Sequence, residues 1–117
     1  MGKTHKLRFK IASVGAPDRS VMITPRAVFN AAYAGRDVED VERHIADVLP
    51  AGEKPRFAIP SLAPVSVHNL VTLEEVQEYT ATMVGEVEYV LVFHNRQMFV
   101  GVGSDHCDRQ LERHDFT

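Results

Sequence analysis

The sequence predicts an α+β fold with an antiparallel or mixed sheet, and three patterns in the chain support this. Residues 7–14 and 84–93 contain apolar side chains that alternate with the period of two that is typical of β-strands. Residues 37–49 instead place valine and isoleucine at helical spacing. Strand and helix patterns within a chain of 117 residues indicate one mixed domain.

The first strand pattern continues into a predicted hairpin. Apolar and basic side chains alternate over residues 7–11, which indicates one buried face. Residues 15–18, Gly-Ala-Pro-Asp, have turn chemistry, and the short β-branched run at 21–24 is expected to pair back on the first strand. Residues 26–34 remain ambiguous, because their alanines suit a helix whereas their valine and aromatic residues suit a strand.

One amphipathic helix is predicted over residues 37–49. Asp37 is a favourable N-cap, and Pro50 and Gly52 end the helix. The apolar stripe of this helix consists of Val38, Val41, Ile45 and Val48.

The middle of the chain is less regular. Residues 57–70 are apolar but are interrupted by two prolines, so they are expected to be an extended segment and not a central strand throughout. Thr72 and Glu75 have the spacing of a capping box. This spacing predicts one or two helical turns over residues 73–79, with a strand as the alternative.

A second hairpin is the clearest β-structure in the sequence. Residues 84–93 form its first strand, residues 94–97 form a polar tip, and residues 98–102 form the return strand. The polar segment that ends the chain is predicted to contain a short helix.

Composition narrows the class of protein. Residues 1–117 are expected to form a single domain, and the net charge of −3 without a basic cluster gives no support for nucleic-acid binding. No apolar run approaches the roughly 18 residues of a membrane span, so no membrane partner is expected. A single cysteine and the lack of a secretory signal pattern predict a cytoplasmic protein.

Two glutamates on the second hairpin are the strongest functional candidates. Glu86 and Glu88 are two residues apart on a predicted strand, so both carboxylates point to the same face. The hairpin brings Asp105, just past the return strand, beside the start of the first strand. Three converging carboxylates suit a hard cation such as Mg²⁺, Mn²⁺ or Ca²⁺. The alternative is a solvated outer face of an edge strand, because water also tolerates neighbouring like charges.

Other side chains have weaker signals. Arg109 can neutralise Asp108 or hold a substrate carboxylate in a bidentate contact. His68 can act as an acid or base near a metal site, or be an ordinary polar loop residue. Cys107 lacks the signature of a nucleophile or of a zinc site, and His44 is interpreted as structural or solvated.

Two segments resemble a known superfamily. Residues 85–92 read Gly-Glu-Val-Glu-Tyr-Val-Leu-Val, and residues 99–112 read Phe-Val-Gly-Val-Gly-Ser-Asp-His-Cys-Asp-Arg-Gln-Leu-Glu. Together they resemble the metal-binding core of the fumarylacetoacetate hydrolase superfamily, and more closely a branch of uncharacterised bacterial proteins related to it. Within this resemblance, Glu86 and Glu88 match the Glu-x-Glu ligands, Asp105 matches the ligand aspartate, and Arg109 matches the arginine that follows it.

The resemblance implies a fold and an activity. The implied fold is a mixed β-roll-like sheet with one main amphipathic helix, and the implied cofactor is Mg²⁺ or Mn²⁺, with Ca²⁺ as an alternative. The implied function is that of a hydrolase, decarboxylase or hydratase acting on a small 2-oxo or 1,3-dicarbonyl acid, whose enolate the metal stabilises. Arg109, which this resemblance matches, and His68, which is proposed only from its place in a loop, are the candidate catalytic residues.

The resemblance also bears on assembly. Members of the superfamily continue with further strands, so this chain is expected to be incomplete at its C-terminus. A homodimer or higher homo-oligomer would cover the sheet edge that such strands would otherwise pair with. Two other functions remain open: a non-catalytic oligomerising or small-molecule-binding module derived from such an enzyme, and a structural domain in which Glu86 and Glu88 are simply exposed.

Overall fold

The computed structural model describes residues 5–112. It contains six strands, two α-helices and one 3-10 helix, Val67–Asn69, in this part of the chain. The α+β class is confirmed, but the strands form three separate two-stranded sheets where one mixed sheet was expected. The strands and α-helices are β1 (Leu7–Ser13), β2 (Ala16–Ile23), β3 (Val28–Ala32), α1 (Val38–Val48), β4 (Ser61–Val65), β5 (Met83–His94), β6 (Gln97–Asp108) and α2 (Arg109–Glu112).

The predicted first hairpin is present. Strands β1 and β2 pair in antiparallel fashion, and Leu7 lies directly opposite Ile23. Gly15 has a φ of 77°, a left-handed conformation that glycine adopts without the steric penalty of a side chain. Because the turn is tight, β2 begins at Ala16, inside the segment that was predicted to be a longer turn.

The next two elements resolve one ambiguity and confirm one prediction. Residues 28–32 of the ambiguous segment are strand β3, which pairs with β4. Helix α1 follows, and the carboxylate of Asp37 accepts hydrogen bonds from the backbone N–H groups of Glu39 and Asp40 at 2.9 and 3.4 Å. Asp37 therefore caps α1 as its sequence position predicted.

The helical turns predicted for residues 73–79 are wrong, and so is the alternative strand, because this segment is irregular. A helix of two turns is marginal in water unless an apolar face packs on the rest of the protein. The two apolar side chains that such a turn would offer, Leu73 and Val76, are exposed by 70% and 47%. The capping-box pattern therefore has no packing partner to support a helix.

The second hairpin is longer than the sequence indicated. Strands β5 and β6 are twelve residues each and pair continuously from Met83–Asp108 to His94–Gln97. Asn95 and Arg96 both have positive φ, at 49° and 62°, which is the geometry of a two-residue turn that matches the twist of the strands. Since β6 runs on to Asp108, Asp105 lies within a paired strand and not beyond it.

The chain divides into two compact units. The first comprises Met1–Phe29 and Pro64–Val76, and the second comprises Asn30–Ala63 and Gln77–Thr117. Among the described residues, the buried apolar side chains are Leu7 and Ile23 in the first unit and Ala32, Val48 and Ala63 in the second. No helix in the described part of the chain is long and apolar enough to cross a membrane.

Candidate functional site

The register of the second hairpin sets the positions of the acidic side chains. Glu86 lies directly opposite Asp105, and Glu88 lies opposite Gly103. Residues directly opposite each other on paired strands share a face, as do residues two apart on one strand, so the three carboxylates lie on the same face of the hairpin. Val90 leaves no space for a side chain at position 103, since a Cβ on Gly103 would be 2.7 Å from Cγ2 of Val90.

A cavity of about 60 Å³ lies against this face and has room for a few water-sized groups. The residues that line it come from β3 and the residue after it, from α1 and α2, and from the β5–β6 hairpin, and all of them belong to the second unit. The lining residues are Asn30, Ala31, Ala32, Tyr33, His44, Glu86, Glu88, Asp105 and Glu112. The structure therefore brings the three predicted carboxylates to one cavity, which we call the acidic pocket.

Two of these carboxylates have protein partners. The side-chain amide of Asn30 donates a hydrogen bond to Oδ2 of Asp105 at 2.7 Å. The guanidinium of Arg109 forms an ion pair with Glu86 and a second one, at 3.2 Å, with Glu112. Within residues 5–112, no group of three or more His, Cys, Asp or Glu side chains is arranged as a ready metal site.

Negative charge is concentrated around Glu88. Partial burial raises the pKa of Glu88, the neighbouring charges of Glu86 and Asp105 raise it further, and His44 acts in the opposite direction. Like charges that share a site disfavour the ionised form unless a cation is present. Glu86 and Asp105 thus repel the charge of Glu88, and His44 offsets less of this repulsion than either of them adds.

Comparison with known proteins assigns the chain to a family. A family model described as "Protein of unknown function (DUF2848)" matches residues 31–117. The chain belongs to the DUF2848 family. The expected membership of the fumarylacetoacetate hydrolase superfamily is wrong, because this family model is the one that matches. The motifs behind that expectation are a few short residue patterns, which different families can share. No curated protein and no solved structure matches the chain.

The DUF2848 match includes nearly all of the acidic pocket. The glutamates, Asp105 and His44 all fall within residues 31–117, and Asn30 immediately precedes the matched region. The pocket is therefore built almost entirely from the part of the chain that defines the family.

The two predicted catalytic residues lie in different surroundings. Arg109 is the first residue of α2, and its ion pairs with Glu86 and Glu112 place its guanidinium beside the acidic pocket. His68 lies in the 3-10 helix of the first unit, where its ring contacts that of His5 edge-on at 5.5 Å between centroids. It is not among the residues that line the acidic pocket, and its role as an acid or base stays a prediction.

Sequence reasoning missed His44 and Tyr33 as pocket residues. Their rings are 5.7 Å apart, and the Tyr33 ring also stacks on Phe57 at 5.9 Å. A signal for His44 was available, because it is three residues after Val41 and four before Val48, which is the spacing of one helix face. Tyr33 had no comparable signal, since its contacts depend on residues distant in sequence.

Cys107 is expected to react slowly with alkylating reagents. Burial, followed by the negative charges of Glu112 and Glu86, raises the pKa of its thiol to about 11. The thiol also donates a hydrogen bond to Glu112 at 3.6 Å. Because the reactive thiolate forms only as pH rises towards 11, we expect alkylation by iodoacetamide near neutral pH to be about 100-fold slower than that of an ordinary cysteine thiol.

Mass spectrometry of the alkylated protein measures this rate directly, since the chain has one cysteine. Glu112→Gln removes a negative charge and should speed the reaction, whereas the exposed Glu42→Gln should leave the rate unchanged. A native rate equal to that of a free thiol would contradict the expected pKa.

Proposed function

We propose that this DUF2848 protein is a divalent-cation-dependent hydrolase or lyase that acts on a small 2-oxo or 1,3-dicarbonyl acid. Glu86, Glu88 and Asp105 are the proposed ligands of the cation, which is Mg²⁺ or Mn²⁺, with Ca²⁺ as an alternative. The observation that carries the proposal is that these three carboxylates line one small cavity. The DUF2848 description names no activity, so the proposed substrate class rests on coordination chemistry.

The side chains fit a hard cation in their donor chemistry. All three proposed ligands offer carboxylate oxygens, which Mg²⁺ and Mn²⁺ prefer. Burial, followed by the neighbouring negative charges of Glu86 and Asp105, raises the pKa of Glu88, and a cation would relieve the repulsion among these charges. Arg109 already supplies one positive charge to Glu86, so cation binding requires this ion pair to loosen.

The proposed substrate class follows from the coordination positions of the metal ion that the three carboxylates leave free for a substrate. Three carboxylates do not fill the six positions that Mg²⁺ commonly uses, so a substrate can contribute two oxygens. Adjacent oxygens of a 2-oxo acid, or the paired oxygens of a 1,3-dicarbonyl acid, suit this bidentate contact. A bound cation supplies Lewis-acid polarisation of a substrate oxygen.

The remaining groups of the acidic pocket can position substrate and move protons. His44 lines the cavity, and an imidazole side chain is a common general acid or base in catalysis. Burial, followed by the negative charge of Glu112, raises the pKa of Tyr33, so its hydroxyl stays protonated and can donate a hydrogen bond. Asn30 fixes the orientation of Asp105 through its amide.

We expect Mn²⁺ or Mg²⁺ to raise the melting temperature of the protein. A ligand at 100 times its dissociation constant stabilises the folded state by about 2.7 kcal/mol. Glu88→Gln and Asp105→Asn each remove a proposed ligand at nearly constant volume, and each should weaken cation binding at least about tenfold, or roughly 1.4 kcal/mol. Calorimetric titration and thermal unfolding with and without the cation measure both effects.

The control is Glu42→Gln, which removes an exposed carboxylate on α1 and should bind cation as the native protein does.

His44→Ala separates cation binding from catalysis, because it should keep the cation-dependent stabilisation and lose turnover of oxaloacetate or an acylpyruvate. If neither Mg²⁺, Mn²⁺ nor Ca²⁺ stabilises the native protein, the proposal fails. Cation binding without turnover of these acids would instead favour the non-catalytic binding module.

A further inference from the structure

The β5–β6 hairpin has a second face, opposite the acidic one, that is apolar and exposed. The strand period of two places alternate side chains of both strands on it. Its seven large side chains are between 47% and 83% exposed. We call these residues the apolar hairpin face: Val87, Tyr89, Leu91, Phe93, Met98, Val100 and Val102.

This arrangement reverses the ordinary pattern of a half-buried hairpin. Glu86 and Asp105 on the acidic face are only partly exposed, whereas Val87 and Val102 on the apolar hairpin face are each 83% exposed. The buried apolar side chains of the second unit, within the described residues, are two alanines and one valine. The larger share of apolar surface on this hairpin therefore lies outside the core.

The size of the apolar hairpin face matches one side of a stable protein interface. At roughly 100 Å² of exposed surface for each of its side chains, it presents on the order of 700 Å², above the ~300–600 Å² of the largest apolar patch on a typical monomer. A standard interface buries about 800 Å² on each partner.

We propose that the apolar hairpin face is the interface of a homodimer, in which the same face of a second copy covers it. Between Val87 and Phe93, and between Met98 and Val102, this face carries no charged side chain, so two copies meet without like-charge repulsion. A charged partner surface would be desolvated against this face without gaining an ion pair. The surface that complements it by chemistry is another uncharged β-surface of the same size, which a second copy supplies.

The dimer is a two-layer sandwich of two hairpins. Facing sheets pack about 10 Å apart and interdigitate their side chains. The two copies are related by a two-fold axis, so each substitution in the apolar hairpin face acts twice. The acidic pocket lies on the other face of each hairpin and stays open in the dimer.

Sedimentation velocity over protein concentrations from about 1 to about 100 µM tests the proposal, because dissociation constants of weak and moderate dimers fall within this range. We expect the native protein to reach twice the 13.1 kDa mass of one chain. Val102→Lys places two charges in the interface and should raise the dissociation constant at least about tenfold. Val102→Thr, which keeps the β-branched shape, should weaken the dimer in the same direction but less.

The matched control is Val14→Lys, which introduces the same charge at a fully exposed turn of the first unit and should leave the dimer intact. Circular dichroism of each variant checks that the strands still form. A native protein that stays at the mass of one chain at about 100 µM would overturn the proposal. A dimer that both Val102 variants leave unchanged would overturn it as well, because the interface would then lie elsewhere.

A fluorescence reporter tests the location of the interface without adding charge. The chain has no tryptophan, so Tyr89→Trp creates a single emitter on the apolar hairpin face, where Tyr89 is 70% exposed. Its emission should shift to shorter wavelength as the dimer forms. Tyr79→Trp, at an irregular position that is 80% exposed, should show no such shift. Equal behaviour of the two variants would argue against this face as the interface.

Discussion

Replacing Arg109 with glutamine is expected to lower the free energy of unfolding by about 2 to 3 kcal/mol at neutral pH, because it removes the positively charged partner of two partly buried carboxylates. Arg109 bridges Glu86 and Glu112, whose side chains are 25% and 12% exposed, while its own side chain is 34% exposed. The loss of stability would be larger if these three side chains were fully buried. The expected loss is therefore below the usual range for a buried ion pair. Urea denaturation followed by circular dichroism measures it.

The same substitution should tighten the binding of Mn²⁺, since Arg109 competes with a cation for Glu86. Arg43→Gln is the control: its ion pair with Asp40 is exposed on both sides and contributes at most about 1 kcal/mol. An Arg109→Gln protein as stable as Arg43→Gln would mean that the bridge does not stabilise the second unit.

The hairpins were the most predictable part of the fold. Alternating side chains and turn-forming segments are local signals, and they located β1, β2, β5 and β6. The length of β6 was underestimated because Gly101 and Gly103 have low strand propensity, although pairing with β5 carries the strand through both. The prediction of helical turns at residues 73–79 was wrong because a local capping pattern is not sufficient for a helix without packing against the rest of the protein.

Local patterns could not assign the two faces of the second hairpin to core or solvent. The sequence shows glutamates on one face and valine and aromatic residues on the other, and ordinary amphipathic reasoning makes the apolar face the buried one. In the structure, β3, α1 and α2 instead supply the side chains around the acidic face. Which face is covered depends on the packing of distant segments, and a period of two carries no information about that packing.

The candidate site was predictable only where its residues share one hairpin. Glu86, Glu88 and Asp105 could be placed together because strand pairing follows from a local turn. Asn30 and Tyr33 reach the acidic pocket from a segment that could not be assigned to helix or strand. Their contribution therefore became visible only in three dimensions.

Replacing Leu7 with alanine is expected to lower the free energy of unfolding by about 3 kcal/mol, within the range for large-to-small changes in a core. Leu7 is 6% exposed and lies directly opposite Ile23, which is 7% exposed. These are the two buried apolar side chains among the described residues of the first unit. Among the described residues of the first unit, Ile23 is thus the one other buried apolar side chain that can repack into the cavity left by the Leu7 side chain. Thermal and urea unfolding measure the change.

Met22→Ala is the matched control on the same hairpin, because Met22 is 50% exposed and its truncation should cost less than about 1 kcal/mol. The residues that line the acidic pocket all belong to the second unit. At temperatures where Leu7→Ala remains folded, its affinity for Mn²⁺ should therefore equal that of the native protein. A Leu7→Ala protein no less stable than Met22→Ala would show that the Leu7–Ile23 pair does not anchor the first unit. A changed cation affinity in the folded variant would show that the acidic pocket depends on residues outside the second unit.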